Sequence, residues 1–353
     1  MITITMRFMC LLIAKPERRI PNLMCRLKMA AGGLFVILLY AAAAHGQKPF
    51  VQWNSLSNPV LSYPNWSIKD AAMAYRDGTF YVFFSAFYQD RGRVRSHVVE
   101  VSTRDFKHYS KPILNFDGVE NGWIGMCSPD IHRWNGQYVM TFNSWGFKPG
   151  KPNELFYRTS PDLVHWSKRH TLALNLTGLN PVIDAALAAA DGGYYLMWKE
   201  GPHGKMKPRL AFSKSLTGPF KFVGNGFPIL LMPDGKEDGM THENYEFIHA
   251  GDKWYLLSAD YMPQTPHLYE LQPGSGWLRW VNGRALEFPE QQFNKDFRAN
   301  AAAIYDWRDH DGYFYIIYAG CNERKTFARR GWNRLGLARS KDLIHWRVAG
   351  QME

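Results

Sequence analysis

Three acidic side chains occupy equivalent positions in three separate segments of the 353-residue chain. Asp70, Asp184 and Glu243 each lie eight residues before a turn glycine, and each is surrounded by apolar residues. An acid among apolar residues costs free energy unless it is paired or functional, and crowded carboxylates raise at least one pKa. Hydrolysis of a glycosidic bond needs a protonated carboxyl beside an ionised one. The alternative is that the acids only cap strands or accept hydrogen bonds in turns.

A repeated pattern of a turn followed by an aromatic strand would position these acids. It occurs five times, with its glycines 56 to 61 residues apart, at Gly78, Gly136, Gly192, Gly251 and Gly312. Asn-Gly and Asp-Gly between apolar strands favour type I′ hairpins. A second signal, such as DLVHWS at 162–167, closes each repeat. Four strands in fewer than about 60 residues are typical of a propeller blade. The sequence therefore predicts an all-β fold, a five-bladed β-propeller with four antiparallel strands per blade.

Composition agrees with this prediction and excludes other classes. Aromatic residues make up 15% of the chain, with 30 Gly and 20 Pro, which favours strands and tight turns over helical bundles. Hydrophobic residues at 46% exclude a disordered chain. The net charge is +11, but no Lys/Arg cluster is typical of nucleic-acid binding. A β-sandwich or jelly roll is the alternative fold.

The first 46 residues have the pattern of a signal peptide. An apolar stretch at 30–44 follows a basic segment and ends in small residues, and it is too short to span a bilayer. Residues 1–23 have the character of a mis-annotated start, with initiation at Met24. We therefore expect a secreted or periplasmic protein whose single catalytic domain covers 47–353. It is expected to have no membrane contact after signal cleavage, and the oligomeric state is not predicted.

Two cysteines remain in this domain, Cys127 and Cys321. Neither has His or Cys neighbours at the spacing of metal ligands, so no zinc site is indicated. Two lone cysteines in a chain of this length do not make a disulfide framework. We predict that both are buried free thiols; a single disulfide between them in an oxidising compartment is the alternative.

The segments around the three acids resemble glycoside hydrolase family 43, the five-bladed propellers that act on arabinofuranosides and β-xylosides. The resemblance is carried by KDAAMAYRDGTFYVF, VIDAALAAADGGYYLMW and HENYEFIHAGDKWYLL. It implies that Asp70 is the general base, that Asp184 adjusts the pKa of the acid, and that Glu243 is the general acid. The expected activity is inverting hydrolysis of arabinofuranosyl or xylosyl poly- or oligosaccharides.

The chain departs from the family at three places. The family's Asp-Pro and Glu-Gly-Pro are Asp70-Ala71 and Glu243-Asn244 here, and 298–303 lacks the usual histidine of the fifth blade. No cofactor is therefore expected, and the missing histidine weakens the case for a structural calcium.

Sugars need aromatic and polar contacts beside the acids. The candidates for these contacts are Trp145, Trp198, Arg298 and Asp130. The alternative functions are a carbohydrate-binding propeller without catalysis, or a related propeller glycosidase or phosphorylase acting on another sugar.

Overall fold

The computed structural model describes residues 51–116, 122–146, 150, 152–178, 180–202, 205–260, 265–322 and 333–351, with only the backbone of Asp260 and Phe297. The chain divides after Gly46, and all of these residues belong to the second unit, Gln47–Glu353. The predicted signal peptide lies outside the described residues. No helix in the described part is long and apolar enough to cross a membrane.

The first two groups of strands each contain four antiparallel strands, and every strand pairs with the next along the chain. One parallel bridge between Ser96 and Gly125 joins the groups into a single sheet. The strands are β1 (Ser67–Arg76), β2 (Thr79–Asp90), β3 (Arg93–Thr103), β4 (Leu114–Phe116), β5 (Gly125–Trp134), β6 (Gln137–Trp145), β7 (Leu155–Ser160) and β8 (His170–Thr171).

Three further sheets repeat the four-stranded antiparallel pattern, and one of them gains a parallel strand, β13, at its edge. Their strands are β9 (Val182–Ala190), β10 (Gly193–Glu200), β11 (Lys207–Ser213), β12 (Lys221–Phe222), β13 (Ile229–Leu230), β14 (His242–Ala250), β15 (Lys253–Asp260), β16 (Pro266–Leu271), β17 (Arg279–Ala285), β18 (Phe297–Asp306), β19 (Phe314–Cys321), β20 (Arg334–Ser340) and β21 (Arg347–Val348).

Helical structure in the described residues is limited to three single turns. They are a 3₁₀ turn at Trp53–Ser55 and the α-helical turns α1 (Leu174–Thr177) and α2 (Arg308–Asp311). The predicted all-β class is confirmed.

Tight turns end the first strands of the first four groups. Asp77-Gly78, Asn135-Gly136 and Asp191-Gly192 have positive φ at both residues, as type I′ turns require. The fourth hairpin differs, because Gly251 is the first residue of its turn rather than the second. The glycine therefore stands one residue closer to the end of its strand in the fourth group than in the first three. The fifth group does not form the predicted type I′ hairpin, because Asp311 ends the helical turn α2 and Gly312 is its C-cap.

The first strands of the five groups form a closed ring. β1 contacts β5, β5 contacts β9, β9 contacts β14, β14 contacts β18, and β18 returns to β1. The two ends of the described chain meet in the last sheet, where Leu61 bridges Leu335 beside β21. The Asn58 side chain bonds both backbone groups of Leu337, donating to the carbonyl and accepting from the N–H. These contacts tie the start of the domain to its end.

Apolar side chains fill the space between neighbouring sheets. Phe80, Phe106 and Tyr315 are almost fully buried and pack together, which joins the first group to the last. Cys127 and Cys321 are both buried, and neither is part of a disulfide bond.

One carboxyl lies inside this apolar packing. Glu100 of β3 is fully buried, and its Oε2 accepts a hydrogen bond of 2.8 Å from Trp166 Nε1. Its Oε1 has no hydrogen-bond partner among the described residues. Burial raises the pKa of Glu100 to about 8, and the Trp166 hydrogen bond opposes this only in part. The side chain is therefore protonated at neutral pH.

We expect the free energy of unfolding to decrease as the pH rises from about 5 to about 8. The folded protein keeps a proton on Glu100 in this range, whereas the unfolded chain has released it. Glu100→Gln removes the titration and makes the decrease shallower by up to about 1.4 kcal/mol per pH unit. Urea unfolding across this range measures the slope. Glu287→Gln, at an exposed glutamate, is the control and keeps the wild-type slope; equal slopes for Glu100→Gln and wild type would contradict the expectation.

Candidate active site

Each of the five first strands contains a β-bulge with a left-handed residue at its centre. The register of each strand shifts there, and the central residues have φ between 44° and 60°. They are Asp70, Ser128, Asp184, Asn244 and Ala301. A bulge redirects side chains, and strained non-glycine residues of this kind cluster at functional sites.

The five bulges surround one small cavity at the centre of the ring. Every first strand contributes to its wall, through Asp70 and Ala71, Ser128 to Asp130, Asp184 and Ala185, Asn244 to Glu246, and Ala301 to Ala303. The bulge residues of β1 and β9 are acids that the sequence singled out.

Glu243 is one residue out of phase with the other two acids. Asp70, Asp184 and Asn244 each lie six residues before the end of their strand, so Asn244 is the equivalent residue in β14. The expectation that Glu243 shares the phase of Asp70 and Asp184 is wrong, because it counted from Gly251, which holds a different place in its turn. Glu243 instead precedes the bulge, as Lys69 does in β1.

Asp70 is held by two polar groups. Its Oδ1 lies 3.2 Å from Lys69 Nζ and accepts a hydrogen bond of 3.1 Å from Asn244 Nδ2. The Asp70 side chain is 3% exposed, so both contacts are shielded from solvent. Asn244 thereby connects β14 to the carboxylate of β1.

Asp184 has a different environment. Its Oδ1 accepts a 2.7 Å hydrogen bond from Ser128 Oγ, and its backbone N–H donates to Asn143 Oδ1. Burial, together with the charges of Glu243 and Asp70, raises the pKa of Asp184 to about 6. The Lys199 ammonium and the Ser128 hydrogen bond act in the opposite direction. Asp184 therefore exchanges its proton close to neutral pH.

Glu243 forms an ion pair inside the site. Lys199 Nζ donates to Glu243 Oε1 at 2.7 Å, and the two side chains are only 5% and 12% exposed. Lys199 belongs to β10 and faces Ile183 of β9 in the register, directly before Asp184. The charges of Asp70, Asp184 and Glu243 all act on Lys69 as well. The described site therefore combines three acids with two buried lysines.

A second pair of acids lines the same cavity two residues beyond the bulge residues. Asp130 Oδ2 accepts from the Leu187 N–H at 3.3 Å, and Glu246 Oε2 accepts from the Ile304 N–H at 2.6 Å. Burial raises the pKa of Asp130 to about 7. Burial and the Asp130 charge raise the pKa of Glu246 well above its usual range. Asp130, a predicted sugar contact, thus lies in the cavity wall.

The other predicted sugar contacts lie away from this cavity. Trp198 is fully buried and donates to Glu200 Oε2 at 3.1 Å, so its prediction as a sugar contact is wrong. Successive residues of a strand face opposite sides, and its neighbour Lys199 takes the side facing the site. Arg298 does not line the cavity and instead donates to Glu290 Oε2 at 2.7 Å.

Trp145 remains a predicted contact. It is the half-buried last residue of β6, opposite Gly125 at the start of β5, and packs edge-to-face on Phe87 at 5.1 Å. This places it at the same end of the sheet as the first residues of β5.

Sequence inspection missed Lys69, Lys199, Ser128, Asn244 and Glu246. Counting from strand ends rather than from glycines finds Ser128 and Asn244. The alternation of GYYLMWKE puts Lys199 on the opposite face from the buried Trp198. Lys69 and Lys199 can be recognised as site residues only when their carboxylate partners are known.

The fifth first strand offers no side-chain ligand for a calcium ion at the centre of the ring. Calcium takes six to eight oxygen ligands. β18 presents Ala301, Ala302 and Ala303 there, which offer no side-chain oxygen, and no group of three or more His, Cys, Asp or Glu in the described part of the chain is arranged to hold a metal.

The sequence matches no model of a known protein family and no curated protein. Solved structures do match. One is CoXyl43, a GH43 beta-xylosidase/alpha-arabinofuranosidase from a compost microbial metagenome in complex with xylotriose, with 13% identity, a TM-score of 0.59 and coverage of 83% of this chain and 97% of that one.

Two further structures are similar. An exo-1,5-alpha-L-arabinanase from a bovine ruminal metagenomic library matches with 17% identity, a TM-score of 0.54 and coverage of 81% of this chain and 97% of that one. A structure from the GH130 family of mannoside phosphorylases, which contains glycoside hydrolases that target beta-1,2 mannosidic linkages, matches with 14% identity, a TM-score of 0.54 and coverage of 78% and 85%. At these identities the comparisons show that the chain shares the fold of these proteins.

Ser128→Ala tests the assigned environment of Asp184. Loss of the hydroxyl donor removes a hydrogen bond that favours the ionised carboxyl, so the titration midpoint of Asp184 should move upward from about 6. Carbon-13 NMR of labelled aspartate carboxyls measures the midpoint, with Asp184→Asn for assignment. Thr141→Val is the control, because that hydroxyl donates to the backbone carbonyl of Ala185 at 2.7 Å. A midpoint that stays put or moves down in Ser128→Ala would refute the assignment.

Proposed function

We propose that this protein is a five-bladed β-propeller glycoside hydrolase that works by inversion. The observation that carries the proposal is that Asp70, Asp184 and Glu243 come from three different first strands and interact in one largely buried network. Asp70 and Asp184 of this network line the central cavity. The closed cycle of five first strands supports the blade count. The fold shared with xylosidase and arabinanase structures supports arabinofuranosyl or xylosyl substrates.

In the proposed mechanism each of the three acids has a different role. Asp70 takes a proton from a water that attacks the anomeric carbon, while Glu243 gives a proton to the leaving oxygen on the opposite face of the sugar. Asn244 holds the Asp70 carboxylate, and its Oδ1 has no hydrogen-bond partner among the described residues. In the proposed mechanism this oxygen accepts a hydrogen bond from the attacking water. Asp184 acts on Glu243 through its charge.

The leaving group separates the roles of the two main acids. A nitrophenolate departs without a proton, whereas the alkoxide of a natural sugar needs one. Glu243→Ala should therefore lose about 10² to 10⁴-fold on xylo- or arabino-oligosaccharides and much less on the nitrophenyl glycoside. Asp70→Ala should lose activity on both, because each reaction needs an activated water.

Steady-state kinetics of the two variants on both substrates measures this difference, and NMR of the first product anomer reports inversion. Glu290→Ala, at a surface carboxylate paired with Arg298, is the control and keeps wild-type rates. If both site variants respond alike to the leaving group, or if both retain full activity, the roles assigned to Asp70 and Glu243 are wrong.

A phosphorylase is the second candidate, and the GH130 structure among the matches is the observation that favours it. Phosphorolysis replaces the attacking water by inorganic phosphate and releases a sugar phosphate. Rates that depend on added phosphate would support the second candidate, and rates independent of phosphate support the hydrolase.

We further propose that the protein is exported and that residues 1–46 are removed. Protein recovered from the medium or periplasm should begin near Gln47 when its N-terminus is sequenced. Exported protein with residues 1–29 intact would exclude this processing.

A further inference from the structure

Lys199 stands out because its charge opposes the role proposed for its partner. Its ammonium donates to Glu243 Oε1 at 2.7 Å in a nearly solvent-free environment. A general acid must carry a proton when the substrate binds, whereas a cation at this distance favours the ionised carboxyl. Lys199 lies on β10 beside the bulge of β9, and its side chain is buried next to the acids instead of reaching solvent.

Of the other charged groups near Glu243, some favour its protonated form and others its ionised form. Asp184 of β9 interacts with the Glu243 charge and favours its protonated form. Lys69 of β1 adds a second cation that interacts with Glu243, and Tyr245, two residues on in β14, also interacts with it. His242, the preceding residue, is buried, and burial lowers its pKa to about 4, so it contributes no charge at neutral pH. Lys199 is the cation for which a direct contact with Glu243 is described.

We propose that Lys199 is a positioning residue that holds Glu243 as a carboxylate in the free protein and thereby sets the upper pH limit of catalysis. This inference rests on the proposed function. For each turnover Glu243 takes a proton from solvent, gives it to the leaving oxygen, and is ionised again. Asp70 gains the proton of the attacking water and returns it to solvent, so protons balance over the cycle. The same ion pair fixes the direction in which the Glu243 carboxyl points.

The experiment compares pH profiles of kcat/KM for wild type, Lys199→Gln and Lys199→Arg on a xylo- or arabino-oligosaccharide. Glutamine keeps a hydrogen-bond donor without the charge, so the alkaline limb should move to higher pH by about one unit. Arginine keeps the charge and should preserve the limb. Lys253→Gln is the matched control. Lys253 forms a lysine–glutamate ion pair with Glu270 at 2.8 Å, on the surface of the sheet that contains Glu243. That variant should leave the profile unchanged.

A purely structural role for Lys199 would lower the rate and the melting temperature of Lys199→Gln without moving the limb, and this result would overturn the inference. Removing one partner of a buried ion pair is destabilising, so a second variant, Lys199→Met combined with Glu243→Gln, removes both charges and checks folding. If it folds while Lys199→Gln does not, the uncompensated charge of Glu243 is the cause, as the inference requires. If neither folds, Lys199 is structural and the inference fails.

A measurement without substrate separates this inference from the proposed function. Carbon-13 NMR of labelled glutamate carboxyls, assigned with Glu243→Gln, follows the titration of Glu243 directly. The midpoint should be higher in Lys199→Gln than in wild type and unchanged in Lys199→Arg. If no glycoside is hydrolysed by the wild-type protein, the proposed function fails while this titration still decides the role of Lys199. An unchanged midpoint in Lys199→Gln would overturn the inference whatever the activity.

Discussion

The left-handed bulge in each first strand is the constraint on which the site depends. A regular strand would alternate its side chains strictly between the two faces of its sheet. The bulge breaks this alternation at one residue, so that Asp70, Ser128, Asp184 and Asn244 line the same cavity from four different strands. Holding non-glycine residues at positive φ is unfavourable, and the contacts among these side chains compensate for part of that cost.

Charge compensation follows from this convergence. The carboxyls of Asp70, Asp184 and Glu243 are buried close enough to interact, so they repel each other and lose hydration unless donors compensate. Lys69 and Lys199 supply two cations, Ser128 and Asn244 supply neutral donors, and each contact bridges different strands or adjacent bulge positions. The network around the acids therefore also links strands of different groups, among them β14 and β1 on either side of β18.

The fold was largely predictable from the chain, because turn chemistry and aromatic strands repeat locally. Asp77-Gly78, Asn135-Gly136 and Asp191-Gly192 form the expected turns, and each joins two strands that are consecutive in the chain. The site was less predictable. The fourth hairpin places Gly251 differently in its turn, and this single change moved the expected phase by one residue and hid Asn244. The prediction for Trp198 failed for a similar reason. One step along a strand reverses the facing direction, so Lys199 rather than Trp198 faces the site.

Environment, rather than residue type, distinguishes the acids of the cavity. Asp70 and Asp184 occupy the same bulge position with nearly the same backbone, at φ of 54° and 60°. Asp70 contacts an ammonium and an amide donor directly. The side chain of Asp184 accepts a hydrogen bond from a hydroxyl, and the charges of two other acids raise its pKa.

One position of the fold thus yields a carboxylate fixed by cationic and amide donors on β1, and on β9 a carboxyl that exchanges its proton near neutral pH. Asp130 and Glu246, further along the cavity wall, also differ from Asp70 in their environment. Backbone N–H groups are the hydrogen-bond donors described for these two acids, and burial favours their protonated forms. The described lysine contacts are instead made by the acids at and directly before the bulges, Asp70 and Glu243.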